Sequence, residues 1–239
     1  TQTASWLLTV EVGGEARYFT CHFLLMCAGY YNYDAGHQPE FDGRNDFQGR
    51  WVHPQFWPED LDYKGKKVIV IGSGATAMTL VPSMANDAEK VTMVQRSPTY
   101  VVSRPSVDKV ANFLRKVLPS SWAYGLVRFR NTLWQQIIYN QTRSNPDRVA
   151  QNLLGEVEKA VGDVVDVKKH FTPTYNPWDQ RLCLVPDDDL FTALRSGKAD
   201  VVTDTIAHVD ADGLVTGSGE HIDADIIVSA TGIELLNLG

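Results

Sequence analysis

Residues 66–77 read KKVIVIGSGATA, and few folds accommodate such a stretch. A short continuous apolar run suits a parallel strand buried on both faces, and Gly72-Ser73-Gly74 ends it abruptly. The spacing G-x-G-x-x-A predicts a strand that turns directly into a helix. Gly72 permits the tight turn, Gly74 leaves room for a pyrophosphate against the backbone, and Ala77 lets the helix pack closely on the sheet. The helix start adds free N–H groups and partial positive charge. Gly72, Ser73, Gly74, Ala75, Thr76 and Ala77 are therefore the expected dinucleotide cradle of an α/β fold with a parallel sheet.

The following strand, VTMV at 91–94, bears on which dinucleotide is bound. NAD-type sites usually place Asp or Glu near its end, roughly 20 residues past the glycines, to bond the ribose 2′-hydroxyl. Here the end reads Gln95-Arg96-Ser97. A guanidinium can grip a 2′-phosphate through two parallel charge-assisted bonds and Ser97 adds a hydroxyl, so NADPH is expected over NADH. A solvated surface arginine is the plain alternative for Arg96. Between the two strands, Pro82 sits several residues into the helical stretch and predicts a kink or an early helix end.

Composition narrows the class. The 239 residues are 44% apolar, enough for a full core in one large or two smaller domains. Lys+Arg 22 against Asp+Glu 29 leaves a net charge of −7, so no general basic field exists to hold nucleic acid or anionic lipid, and any phosphate must be gripped locally. No apolar run approaches the roughly 18 residues needed to cross a bilayer. Cys21, Cys27 and Cys183 form no CxxC pair, which makes a cytoplasmic location the expectation. The chain starts at Thr1 in a strand-like pattern and stops soon after another, and it reads as a piece of a longer protein.

Along the chain, WLLTVEV, a turn at Gly13-Gly14 and EARYFTCHFLLMCAG predict a hairpin followed by a buried strand. Residues 32–64, with Pro39, Pro54, Pro58 and little periodicity, read as an extended connection. From about 106 to 165 apolar residues fall at helical spacing, as in Val110, Phe113, Leu114 and Val117 and again in Leu126, Phe129 and Leu133, predicting a helical insertion. Arg128, Arg130 and Trp134 fit one amphipathic helix there. Strands return at ADVVTDTIAHV, with turns at 210–213 and 217–219, and end in ADIIVSATG. That last strand and FLLMCAG both stop in small residues, as two related domains would. Asp187-Asp188-Asp189 lacks metal-ligand spacing and reads as a turn or helix N-cap, and no metal is expected.

Residues 47–58, FQGRWVHPQFWP, match F-x-G-x-x-x-H-x-x-x-W-P in full. Together with GSGATA, RSPTY at 96–100, YNPWDQRLCLVP at 175–186 and SATG at 229–232, the sequence resembles the class B flavoprotein monooxygenases of the Baeyer–Villiger type. The resemblance implies FAD in one Rossmann domain and NADPH in a second one inserted into it. The expected layout is the C-terminal strands of the FAD domain at 1–40, the fingerprint connection at 41–64, a Rossmann-like NADPH domain with β-meander and helical insertion at 65–232, and a return toward the FAD domain at 233–239. No FAD glycine motif is present, so the chain would be the middle of the enzyme.

The same resemblance implies roles. Phe47, Gly49, His53, Trp57 and Pro58 would couple the domains, with His53 influencing how NADPH sits; from composition alone, His53 reads as a packed structural histidine. Arg181 matches the arginine over the flavin, which stabilises negative charge on the reduced ring and its oxygen adduct; read in isolation, it needs only a partner such as Asp179. Gln180 stands where many relatives carry a lysine for the 2′-phosphate, which shifts NADPH selectivity toward Arg96 and Ser97. The implied reaction uses NADPH and O2 to insert oxygen into a ketone or to oxygenate sulfur or nitrogen. A flavin disulfide reductase would need a redox CxxC, which these 239 residues lack and a missing N-terminal part could hold, and a plain NADPH-binding module would describe the chain alone. Substrate and oligomeric state are not readable.

Overall fold

The computed structural model describes residues 4–236, which divide into two units, one formed by residues 4–37 with 233–236 and the other by residues 38–232. In the first unit, strands β1 (Trp6–Val12) and β2 (Glu15–Cys21) form the expected hairpin, Trp6 facing Cys21 and Val12 facing Glu15 across the Gly13-Gly14 turn. The expected buried strand at 23–29 is not formed. Phe23 and Leu25 are exposed, and no strand among the described residues pairs with this stretch. A fully apolar strand is stable only between neighbours that take its backbone groups. Strand β3 (Tyr31–Gly36) finds such a neighbour late in the sequence.

The second unit is built on a five-stranded, wholly parallel sheet. Its strands are β4 (Arg50–Val52), β5 (Lys67–Ile71), β6 (Lys90–Gln95), β9 (Ala199–Thr203) and β13 (Ile226–Ser229), in the order β4-β13-β5-β6-β9. Residues 50–52, read from the sequence as connection, thus form the sheet edge. Strand β7 (Tyr100–Arg104) pairs in parallel with β8 (Leu182–Pro186) as a separate ribbon. Beyond it lie β9 (Ala199–Thr203), the antiparallel meander β10 (Ile206–Val209), β11 (Gly213–Thr216) and β12 (His221–Asp223), and β13 (Ile226–Ser229). The chain then re-enters the first unit as β14 (Ile233–Leu235), antiparallel to β3.

Helix α1 (Ala75–Ala85) follows β5 directly. It continues past Pro82 to Ala85, so the early end does not occur. Helices α2 (Lys109–Val117), α3 (Ser120–Ser144), α4 (Pro146–Val161) and α5 (Val167–His170) occupy the predicted helical region, and α6 (Asp189–Arg195) follows β8. Asp188 precedes α6 as its N-cap residue, as expected of the acidic run.

Alternation along the strands makes two cores. Val68, Val70, Val91, Met93, Ile226 and Val228 face Met78, Val81 and Met84 of α1 and Leu190 and Leu194 of α6. Ile69, Ile71, Val94 and Ile227 face the meander residues Val209 and Leu214, joined by Phe41, Phe47 and Trp51. Burial on both faces explains why β5 and β6 read as continuous apolar runs. No helix among the described residues is long and apolar enough to cross a membrane.

Candidate functional site

The cradle forms at the carboxyl ends of β5 and β6, where open parallel sheets bind ligands. Gly72 adopts φ 130°, and an added Cβ would lie 2.4 Å from the Ala230 carbonyl oxygen. Its N–H donates to the Val94 carbonyl at 2.8 Å, so the turn is sewn to the end of β6. Gly74 differs in kind. Its φ of −80° suits any residue, and no protein atom lies within 4 Å of where a Cβ would sit. Among the described residues neither backbone strain nor packing calls for glycine there; a group approaching the backbone from outside would. The residues therefore fit a dinucleotide diphosphate.

Gly74 is also the N-cap of α1 and no side chain caps the helix; its carbonyl accepts from Met78 N–H at 3.0 Å. The N–H groups of Ala75, Thr76 and Ala77 thus lack intrahelical acceptors. Ala75 and Thr76 are exposed, while Ala77 is fully buried against the sheet, as the helix-packing role requires.

Arg96 and Ser97 lie immediately beyond β6, both exposed. Among the described residues the Arg96 guanidinium has no hydrogen-bond or ion-pair partner, and it is free to take an anion. Ser73, almost fully buried, donates its hydroxyl to the Ser97 carbonyl at 3.3 Å, joining the glycine turn to the arginine-bearing turn. Gln95 fixes the strand end from below: its Nε2 donates to the His170 carbonyl at 2.7 Å and to Thr203 Oγ1 at 2.9 Å. Thr203 also meets His170 Nδ1 at 2.8 Å, and burial pulls the His170 imidazole below its ordinary value.

Arg181 comes to the same place. Its Nη2 lies 3.5 Å from Ser73 Oγ, and Cys183 Sγ approaches the Ser73 carbonyl at 3.8 Å. Cys183 is buried in the helix-side core, and burial pushes its thiol above its ordinary value. Asp179 does not serve Arg181; it pairs with Arg143 at 2.5 Å. Gln180 is exposed in the loop before β8.

The fingerprint residues do not line this turn; they secure the far edge of the sheet. Phe47 packs on the meander-side core and Trp57 on the helix-side core. An added Cβ at Gly49 would lie 2.3 Å from the Asp225 carbonyl oxygen, where the chain enters β4 beside β13. Pro58 accepts the Leu61 N–H at 3.2 Å. His53 is buried; its Nδ1 accepts from Gln55 N–H at 3.2 Å, so the neutral ring carries its proton on Nε2 and donates to the Gly232 carbonyl at 3.0 Å. Both nitrogens are thereby committed to holding backbone.

The structure brings together Gly72–Ala77, Arg96 with Ser97, and Arg181 from three stretches of sequence. Gln95, Thr99, Tyr175 and Cys183 support them and were not foreseen; only the polar end of the apolar run VTMVQ marks Gln95.

Known proteins resemble this sequence and share this fold. The sequence profile of the flavin-binding monooxygenase-like family matches residues 1–140. The chain is 50% identical over 231 residues to the FAD-containing monooxygenase EthA of Mycobacterium tuberculosis strain H37Rv, covering 96% of this chain and 47% of EthA. It is 51% identical over 241 residues to a probable FAD-binding monooxygenase, AlmA, of Acinetobacter baylyi, covering 100% of this chain and 48% of AlmA. The chain spans about half the length of these curated relatives. Its fold is shared with the solved structure of an oxidised steroid monooxygenase bound to NADP, with TM-score 0.67 and 22% identity, over 92% of this chain and 48% of that one. It is shared equally with OTEMO in complex with FAD and NADP, with TM-score 0.70 and 21% identity, over 96% of this chain and 50% of that one. A profile match over more than half its residues and these relatives establish that the chain belongs to the flavin-binding monooxygenase-like family.

Proposed function

We propose that this chain is the NADPH-binding half of an FAD-dependent monooxygenase. The whole protein would use NADPH and O2 to insert one oxygen atom into a ketone, giving an ester or lactone, or to oxygenate a sulfur or nitrogen centre. When bound, NADPH supplies the hydride and the flavin supplies the oxygen chemistry. The chain's own residues bind and orient. The N–H groups of Ala75, Thr76 and Ala77 receive the diphosphate over Gly74, Arg96 and Ser97 read the 2′-phosphate, and Gln180 flanks the same mouth. Arg181 presents a fixed positive charge where negative charge develops. His53 holds Gly232 and positions; it moves no proton. Phe47, Gly49, Trp57 and Pro58 hold the fingerprint segment, and we assign them the coupling of the two cofactor domains.

The single observation that carries this reading is the juxtaposition of an uncapped helix start, a glycine at 74 that local packing does not need, and, just beyond the next strand, an arginine at 96 without a partner among the described residues. The kinship with FAD-containing monooxygenases supports the flavin. A small-molecule substrate with O2 follows from the family; which ketone or heteroatom is set by residues elsewhere in the longer protein. The three cysteines are all free, which favours the reducing cytoplasm and offers no dithiol for disulfide reduction.

The test is to express the full-length protein with FAD and follow NADPH oxidation with a ketone under oxygen. Consumption should need flavin and O2 and yield an oxygenated product. NADPH oxidation independent of either would overturn the proposal. The 239-residue chain alone should bind NADPH weakly and hold no stoichiometric flavin.

A further inference from the structure

Arg181 is delivered by residues 171–181, a stretch between α5 and β8 with no helix or strand of its own. A long flexible side chain is useful as a fixed charge only when its backbone is held. Two hydroxyls hold it. Tyr175 OH lies 2.8 Å from the Arg181 carbonyl oxygen, Thr99 Oγ1 lies 3.2 Å from the same oxygen, and the two hydroxyls are 2.9 Å apart. Thr99 is 1% exposed and follows Arg96 and Ser97 on the turn out of β6. The Tyr175 ring stands edge-on to Tyr100 at 5.5 Å and 89°, which fixes the phenol. Two motifs far apart in sequence, RSPTY and YNPWDQR, thus meet at one peptide carbonyl.

Three oxygen–oxygen contacts share only two hydroxyl protons, so one edge of the triangle holds none. The distances choose. Tyr175 donates to the Arg181 carbonyl and Thr99 donates to Tyr175, leaving the 3.2 Å edge between Thr99 and Arg181 without a proton. The arrangement carries its own reserve. Without the phenol, the Thr99 proton turns to the Arg181 carbonyl; without Thr99, Tyr175 donates as before.

We propose that Tyr175 and Thr99 are positioning residues, a two-hydroxyl lock on the Arg181 carbonyl that holds the Arg181 guanidinium at the glycine-rich turn, with either hydroxyl able to maintain the hold alone. Its consequence for the cofactor rests on the NADPH reading above; the lock itself does not. The lock sits in a stretch with no helix or strand of its own, so its release is expected to free the loop and not to unfold the domain.

The Arg181–Leu182 bond is the one whose carbonyl is held, and it is a trypsin site, so its cleavage rate reads the lock with no cofactor present. In the 239-residue chain, Tyr175→Phe and Thr99→Val should each change cleavage there by less than about 3-fold, and the double variant should raise it ~10-fold or more, a non-additive pattern. Cleavage after Arg115 in α2 and Lys159 in α4 in the same molecules separates local release from general unfolding. Thr99→Ser combined with Tyr175→Phe should restore the slow rate, because it returns one hydroxyl. NADPH affinity, titrated by its fluorescence, should fall only in the double variant. A double variant cut no faster at Arg181 than its faster parent, or a serine that fails to rescue, would overturn the lock. Faster cutting with NADPH affinity unchanged would leave the lock standing and overturn the assignment of Arg181 to the cofactor site.

Discussion

Replacing Gly74 with alanine separates binding from folding at the glycine-rich turn. The added methyl meets no protein atom within 4 Å, and the residue's φ of −80° and ψ of −178° are relaxed for alanine. Alanine is a poorer N-cap than glycine, by up to ~1 kcal/mol, but its unfolded chain is less free, which returns about 0.4–1 kcal/mol. The two nearly cancel, and the melting temperature should stay close to wild type. The methyl does fill the approach to the N–H groups of Ala75 and Thr76. Losing one hydrogen bond to a charged phosphate costs about 1.5–3 kcal/mol, or roughly 10- to 150-fold in NADPH affinity. Gly72→Ala is the opposite control. Its φ of 130° and the 2.4 Å approach to the Ala230 oxygen put the damage in folding, ~2–5 kcal/mol from strain and overpacking combined. Thermal melts paired with fluorescence titration of NADPH give both numbers. Gly74→Ala binding NADPH within twofold of wild type would refute the reasoning that this glycine is kept open for a ligand.

Arg96→Ala removes a guanidinium with no partner among the described residues, so it should leave stability unchanged and weaken NADPH by about 10-fold or more while sparing NADH, measured by parallel titrations. An equal loss for both dinucleotides would show that Arg96 does not read the 2′-phosphate. His53→Ala strands the Gly232 carbonyl and the Gln55 N–H and should cost about 1–3 kcal/mol in urea unfolding. Ser218, through its hydroxyl and N–H, with Thr205 N–H, holds the Asp204 carboxyl down at about 2. A depressed carboxylate stabilises the fold above its unfolded value of 3.8 and loses that contribution as pH falls toward 2, so Asp204→Asn should be less stable than wild type at neutral pH, with the gap closing over that interval in acid titrations followed by circular dichroism.

Much of this was legible because it is local. The apolar run at 66–71, the break at Gly72 and the helix beyond it are neighbours in sequence, and each constrains the next. The helical spacing of Val110, Phe113 and Val117 reflects α2 itself. What escaped was non-local. Strands β7 and β8 are short, separated by four helices, and stable only through each other, so neither has a pattern that announces it. The hold of Tyr175 and Thr99 on the Arg181 carbonyl has no signal beyond two hydroxyl residues in unrelated motifs. The run FLLMCAG failed in the other direction. Its composition suits a buried strand, but composition cannot supply the flanking strands that burial needs, and none pairs with it among the described residues. Arg181 shows the limit for sites: the sequence marks an unusual charge, while only the fold reveals that Ser73, and not Asp179, lies within its reach.

A crystal structure of the chain soaked with NADPH addresses the central claim most directly. The diphosphate should rest on the N–H groups of Ala75, Thr76 and Ala77 above Gly74, with the 2′-phosphate within hydrogen-bond reach of Arg96. Density for the dinucleotide anywhere else, or a 2′-phosphate facing solvent with Arg96 turned aside, would contradict it.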